Sequence, residues 1–104
     1  MKKIALGKAF FVNQDYKKRI QVGGFMRGIG EFVINPPEDV WTIFVELISY
    51  DNASNFYWVH VSFAFFETAP QTSLFAGQEV YLSDGPSRIF HIFIIDADSD
   101  LTGN

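Results

Sequence analysis

His60 and His91 are the only histidines in the chain, and with the carboxylates they are where acid–base or metal chemistry would have to sit. Neither has a second histidine or a paired carboxylate at ligand spacing along the sequence. Glu46 is the acid best placed to meet His60, because the two share a face if segments 40–50 and 56–66 form a hairpin. Such a pair reads as a cross-strand polar contact before it reads as a catalytic couple. The chain has no cysteine, which removes thiol nucleophiles, Cys-ligated zinc and disulfides together and accords with a reducing compartment. No serine lies in a nucleophile-elbow context. The expectation is a protein that is not an enzyme, with no metal and no cofactor.

Two further motifs fail on spacing. Asp96-Ala97-Asp98-Ser99-Asp100 places oxygen ligands at alternate positions, as a calcium loop begins. Leu101 stands where the loop needs glycine, and the sequence ends before the twelfth-position glutamate. Segment 97–104 is therefore expected to be an acidic tail. Gly23-Gly24-Phe25-Met26-Arg27-Gly28-Ile29-Gly30 holds one Gly-x-Gly but neither the third glycine of a dinucleotide fingerprint nor a phosphate loop's Gly-Lys-Ser/Thr ending. Its glycines instead suit bulges, or a corner where a strand bends around a barrel.

The net charge of −4 is unevenly spread. Seven of the eight basic residues lie in 1–27 beside one acid, Asp15, whereas 28–104 holds eleven acids and one base, Arg88. A nucleic-acid binder needs a basic stripe across the fold, so no nucleic-acid partner is expected. An acidic surface instead steers a basic protein partner. Lys8 interrupts the apolar run that follows Lys2 and Lys3, so no signal-peptide core forms. No stretch approaches the roughly 20 apolar residues that span a bilayer. The expected location is cytoplasmic, without membrane association; oligomeric state is not encoded in any pattern here.

These residues must be positioned by strands. The chain's 104 residues amount to one domain, and the aromatic content of 17%, twelve of the aromatics being Phe, is more than one small core absorbs comfortably. Period-two patterning dominates and turn residues divide it, giving expected strands at 3–12, 19–26, 30–35, 40–50, 56–66, 78–83 and 88–96. No window carries a helical apolar stripe with a cap and a stop. The fold class expected is all-β: a small closed antiparallel Greek-key barrel of six to seven strands, with a sandwich as the alternative. Closure is preferred because an open sheet this apolar would leave adhesive edges.

The 40–66 hairpin defines the candidate site. Pro36 and Pro37 force a turn before it, and Asp51-Asn52-Ala53-Ser54-Asn55 makes its loop. Alternation turns Trp41, Ile43, Val45, Leu47 and Ser49 inward, with Tyr57, Val59, Val61, Phe63 and Phe65 opposite them. Phe44, Ile48, Tyr50, Phe56, Trp58 and His60 then point the other way. Two outcomes follow: the N-terminal segment or the 67–77 loop covers that face, or it forms an aromatic binding patch. In 88–96 both faces are apolar, so this strand is expected to be central and covered on both sides. It is reached from 78–83 through Asp84-Gly85, a strong hairpin signal.

The run Leu74-Phe75-Ala76-Gly77-Gln78-Glu79-Val80-Tyr81-Leu82-Ser83-Asp84-Gly85-Pro86-Ser87-Arg88-Ile89-Phe90-His91-Ile92 resembles the closing hairpin of the third domain of elongation factor Tu. Gly23-Gly24-Phe25-Met26-Arg27, followed by Glu31-Phe32, is similar to the Gly-aromatic-Arg segment of the same barrel. The resemblance covers about a third of the chain and implies a six-stranded Greek-key barrel. The GTPase domain has no counterpart, so neither GTPase activity nor tRNA-binding residues carry over.

The functional expectation is a non-enzymatic protein-binding module, of the inhibitor or immunity type that caps a basic toxin. The alternative is a small-ligand-binding barrel whose interior or mouth is lined by Tyr50, Phe56, Trp58 and His60.

Overall fold

Alternating apolar positions become strands wherever one side chain in two can enter a common interior. The computed structural model describes residues 3–13, 15, 20–65 and 67–97. Among these residues there are six strands: β1 (Ala5–Phe11), β2 (Phe25–Phe32), β3 (Trp41–Asp51), β4 (Phe56–Phe63), β5 (Glu79–Asp84) and β6 (Ser87–Asp96). They close into one barrel in the order β1-β4-β3-β2-β5-β6, with every neighbouring pair antiparallel. Strands β2, β3 and β4 are consecutive neighbours, and β1 lies beside β4 instead of β2. This is a Greek key, repeated where β5 lies beside β2. A closed barrel, and not a sandwich, leaves no sheet edge.

In place of the expected strands at 19–26 and 30–35 there is one strand, β2, with Gly28 and Gly30 inside it, and residues 20–24 and 33–35 lie outside any strand. Turn-like glycines here permit close approach. A Cβ on Gly28 would stand 2.4 Å from the Ser83 carbonyl oxygen of β5, and one on Gly30 would stand 2.9 Å from Ile43. Gly7 does the same on β1, whose inward positions Ala5, Gly7 and Ala9 are all small and buried. Small residues on β1 and β2 leave room for Ile43, Leu47, Phe63, Leu82, Phe90 and Ile92, all of them fully or almost fully buried. The barrel interior is thereby filled with side chains.

The two tight hairpins follow their turn chemistry. The Asp51 carboxylate accepts hydrogen bonds from the Ala53 and Ser54 amides (3.0 and 3.1 Å), and Asn55 adopts φ 56° to re-enter β4. Between β5 and β6, Gly85 takes φ 61° and the ring of Pro86 fixes the next residue at negative φ, as a two-residue primed turn requires.

One end of the barrel is fastened by Gln78, which is completely buried. Its Oε1 accepts from the Ile34 and Glu79 amides (2.9 and 3.0 Å). Its Nε2 donates to the Ile34 and Ser73 carbonyls (2.9 and 3.0 Å). The side chain thus ties the segment after β2 and the short 3-10 turn Gln71–Ser73 to the start of β5.

Candidate binding surface

Along β3 and β4 the expected alternation holds up to Leu47. The register pairs Val45 with Val61, Glu46 with His60 and Leu47 with Val59, then skips, so that Ser49 pairs with Trp58 and Tyr50 with Tyr57. Ile48 is the extra residue of a β-bulge, and every side chain after it changes face. Tyr50 therefore turns inward. Its ring lies 4.8 Å from that of the buried Tyr57, and its hydroxyl donates to Asn55 Oδ1 at 3.0 Å. Burial, and secondarily the neighbouring Tyr50, raises the Tyr57 pKa above its ordinary value. Ser49, expected inside, is exposed, and so is Phe65, 67% exposed beyond the end of β4 at Phe63.

Of the six residues expected on one face, Phe44, Phe56, Trp58 and His60 do share the outside of the barrel, Ile48 stands partly exposed at the bulge, and Tyr50 is elsewhere. Glu46 and His60 do meet: His60 Nδ1 lies 3.3 Å from Glu46 Oε1. With Ile4, Phe25, Phe44 and Ser62 they line a shallow surface pocket of about 310 Å³ over β2, β3 and β4. The Phe25 and Phe44 rings meet there edge to face at 6.1 Å, and Phe25 is 71% exposed.

Phe56 and Trp58 belong to a larger feature. Although it points away from the interior and takes no part in the core cluster, Phe56 is only 4% exposed. It is buried by outward neighbours: Trp58 at 5.2 Å and Phe10 at 5.4 Å between ring centroids, with the Lys8 ammonium 5.0 Å from its own ring and 5.3 Å from Trp58. From Phe10 the contacts continue to Phe93 (5.7 Å), His91 (4.3 Å) and Tyr81 (4.3 Å). The Arg88 guanidinium then lies 4.0 Å over Tyr81. An unbroken aromatic belt thus crosses the outer faces of β4, β1, β6 and β5. The described part of the N-terminal segment adds a strand, β1, beside β4 and extends its face.

Strand β6 is not covered on both sides, as its sequence implied. Phe90, Ile92 and Ile94 fill the interior, while His91 and Phe93 are half-buried by the belt and Ile95 is exposed. Its second apolar face is the belt itself.

Polar groups frame the belt. His91 Nε2 lies 2.9 Å from Glu79 Oε1. Arg88 donates through Nε and Nη2 to the two oxygens of Glu31 (3.1 and 3.2 Å), and Ser83 Oγ donates to Glu31 Oε1 at 2.9 Å. The Arg88 bond holds the Glu31 carboxyl below its ordinary pKa and raises that of Arg88 in return. A wider depression of about 850 Å³ continues beyond Glu31 and Arg88 toward Val12, Val40 and Pro86.

Sequence reasoning missed Lys8, Phe10, Phe25, Tyr81, Arg88 and Phe93. The available signal was the second apolar face of β6. Which strands flank it, β1 and β5, is set by long-range closure that no local pattern carries. Among the described residues no group of three or more His, Asp or Glu side chains is arranged to hold a metal ion, and no helix is long and apolar enough to cross a membrane. The acidic tail from Asp98 and the basic run Lys17-Lys18-Arg19 lie outside the described residues. Comparison with protein-family models, curated proteins and solved structures returns no match.

Proposed function

We propose that this chain is a non-enzymatic protein-binding module that docks a basic partner on the outer face of β4, β1 and β6. The observation that carries this reading is the aromatic belt. Core packing does not require it, since the barrel interior is already filled from the opposite faces of the same strands. Contacting rings with a polar rim have the composition of an interface centre: rigid, partly dehydrated aromatics that lose little entropy on contact. The chain's acidity supplies the attraction for a basic surface. An inhibitor or immunity-type protein that caps a basic toxin inside the cell fits these features. Binding without chemistry accords with histidines that each hold a single carboxylate.

The test is affinity capture at low and high salt with the intact chain and with a Trp58→Ala/Phe93→Ser double variant. Both positions face outward, so the variant keeps the core. A defined basic protein retained by the wild type and released by the variant supports the reading. Equal retention by both removes it.

A small-ligand reading keeps one observation in its favour, the pocket between Phe25, Phe44, Glu46 and His60. Its volume of about 310 Å³ is at the lower end for ligand sites. It lies on the outer wall and not in the interior.

A further inference from the structure

Two clusters on the barrel wall combine aromatic ring, carboxylate and histidine, one with a guanidinium in place and one without. On β5, β6 and β2 the set is an aromatic ring (Tyr81), a carboxylate (Glu31) and a histidine paired to a second carboxylate (His91 with Glu79). The Arg88 guanidinium fills it, 4.0 Å over the ring and bonded through two nitrogens to both carboxylate oxygens. On β2, β3 and β4 the set is Phe25 and Phe44, the Glu46 carboxylate, and His60 bonded to one oxygen of that carboxylate. Register places Phe25 directly across from Glu46 on one side and His60 directly across on the other. Among the described residues His60 is the sole ion-pair contact of Glu46, and the Glu46 side chain is 60% exposed. Among the described residues Arg27, on the same face opposite Phe44, forms no ion pair.

We infer that the pocket formed by Phe25, Phe44, Glu46 and His60 is the seat of an arginine side chain presented by the protein partner. This rests on the docking reading above and extends that surface past β4 onto β3 and β2. Three features favour arginine. A planar guanidinium stacks on a phenyl face while its edge bonds a carboxylate, as Arg88 does between Tyr81 and Glu31. An ammonium is more strongly hydrated and offers no flat face to the rings. His60 engages one oxygen of a carboxylate whose side chain is largely exposed, so an incoming group can reach it from solvent.

The probe for the test is Nα-acetyl-arginine methylamide, titrated into the isotopically labelled full chain and followed by amide and aromatic NMR shifts. The control is its citrulline counterpart, equal in shape but uncharged. Saturable shifts confined to Phe25, Phe44, Glu46 and His60 are expected, with millimolar affinity, since the site offers one cation–π contact and one exposed ion pair. Glu46→Gln should weaken binding about fivefold, and Phe25→Leu, at a position remote from the core, should weaken it as well. Equal shifts with the citrulline compound, shifts spread along the belt instead, or indifference to Glu46→Gln would each overturn the site. A partner held through the belt while the arginine probe is silent overturns this site and leaves the docking reading standing. The probe seated at Glu46 with no belt-dependent partner supports the site and removes the docking reading.

Discussion

Gln78 shows how much one neutral side chain can decide in a small barrel. Both lone-pair positions of its Oε1 and both hydrogens of its Nε2 are used on backbone groups, two on Ile34 and one each on Ser73 and Glu79. Gln78→Leu keeps the bulk and strands those four groups; with partial rehydration of the exposed ones, the loss should be about 3 kcal/mol. Urea unfolding would show it as a lower midpoint at unchanged slope, and a loss below about 0.5 kcal/mol would refute the fastening role. Glu31 makes a smaller, pH-dependent contribution. Its native pKa is depressed from 4.5, first by the Arg88 hydrogen bond. The unfolded chain therefore binds a proton before the native one does as the solution is acidified. The contribution is complete above the ordinary value and is lost as pH falls through the depressed native value. Glu31→Gln should destabilise the protein at pH 7 and cost progressively less below about pH 4.5, approaching wild type in strong acid. A constant difference across that range would contradict the assignment.

At the scale of elements, the bends that close the barrel depend on places where backbone meets backbone. Gly28 on β2 is the tightest of these, with the Ser83 carbonyl of β5 where a Cβ would go. Gly28→Ala cannot be accommodated by rotating a side chain, so β2 or β5 must shift. The expected cost is about 1–3 kcal/mol, read as a fall in melting temperature, and an unchanged melt would mean that the strands are not held at this distance. The same residue explains what was legible beforehand and what was not. Gly28 and Gly30 read locally as punctuation, and the sequence pattern divided β2 there; only the neighbouring Ile43 and Ser83 reveal them as spacers within a strand. The 40–66 hairpin was legible because its alternation, its prolines and its Asp51 turn are all local. Its bulge was not, because Ile48 is as apolar as its neighbours and nothing in its type marks it as unpaired. Tyr50 was misplaced on that account, while Glu46 and His60, on the regular side of the bulge, meet as their spacing implied. The belt was half legible: Phe56 and Trp58 were visible as outward rings, whereas their contacts with Phe10 and, beyond it, Phe93 depend on β1 joining β4 to β6.

For the whole molecule, the proposed docking role would divide the work of association between charge and ring placement. Acidic groups are spread around the barrel, at Glu31, Glu38, Asp39, Glu46, Glu79 and Asp84 among others, so their summed field reaches an approaching basic partner before contact. In that role the belt would act only on contact, by excluding water from its rings. The two are separable kinetically. Raising the ionic strength should slow association on the order of tenfold and leave dissociation little changed, because distant charges are screened while buried rings are not. Trp58→Ala should do the reverse, speeding dissociation by about 30-fold if Trp58 is an energetic centre of the interface, with association nearly unaltered. Surface-plasmon or stopped-flow kinetics on the captured partner would separate these effects. Salt acting on the dissociation rate, or Trp58→Ala acting on the association rate, would mean that the partner is held by ion pairs and that the belt serves the barrel alone.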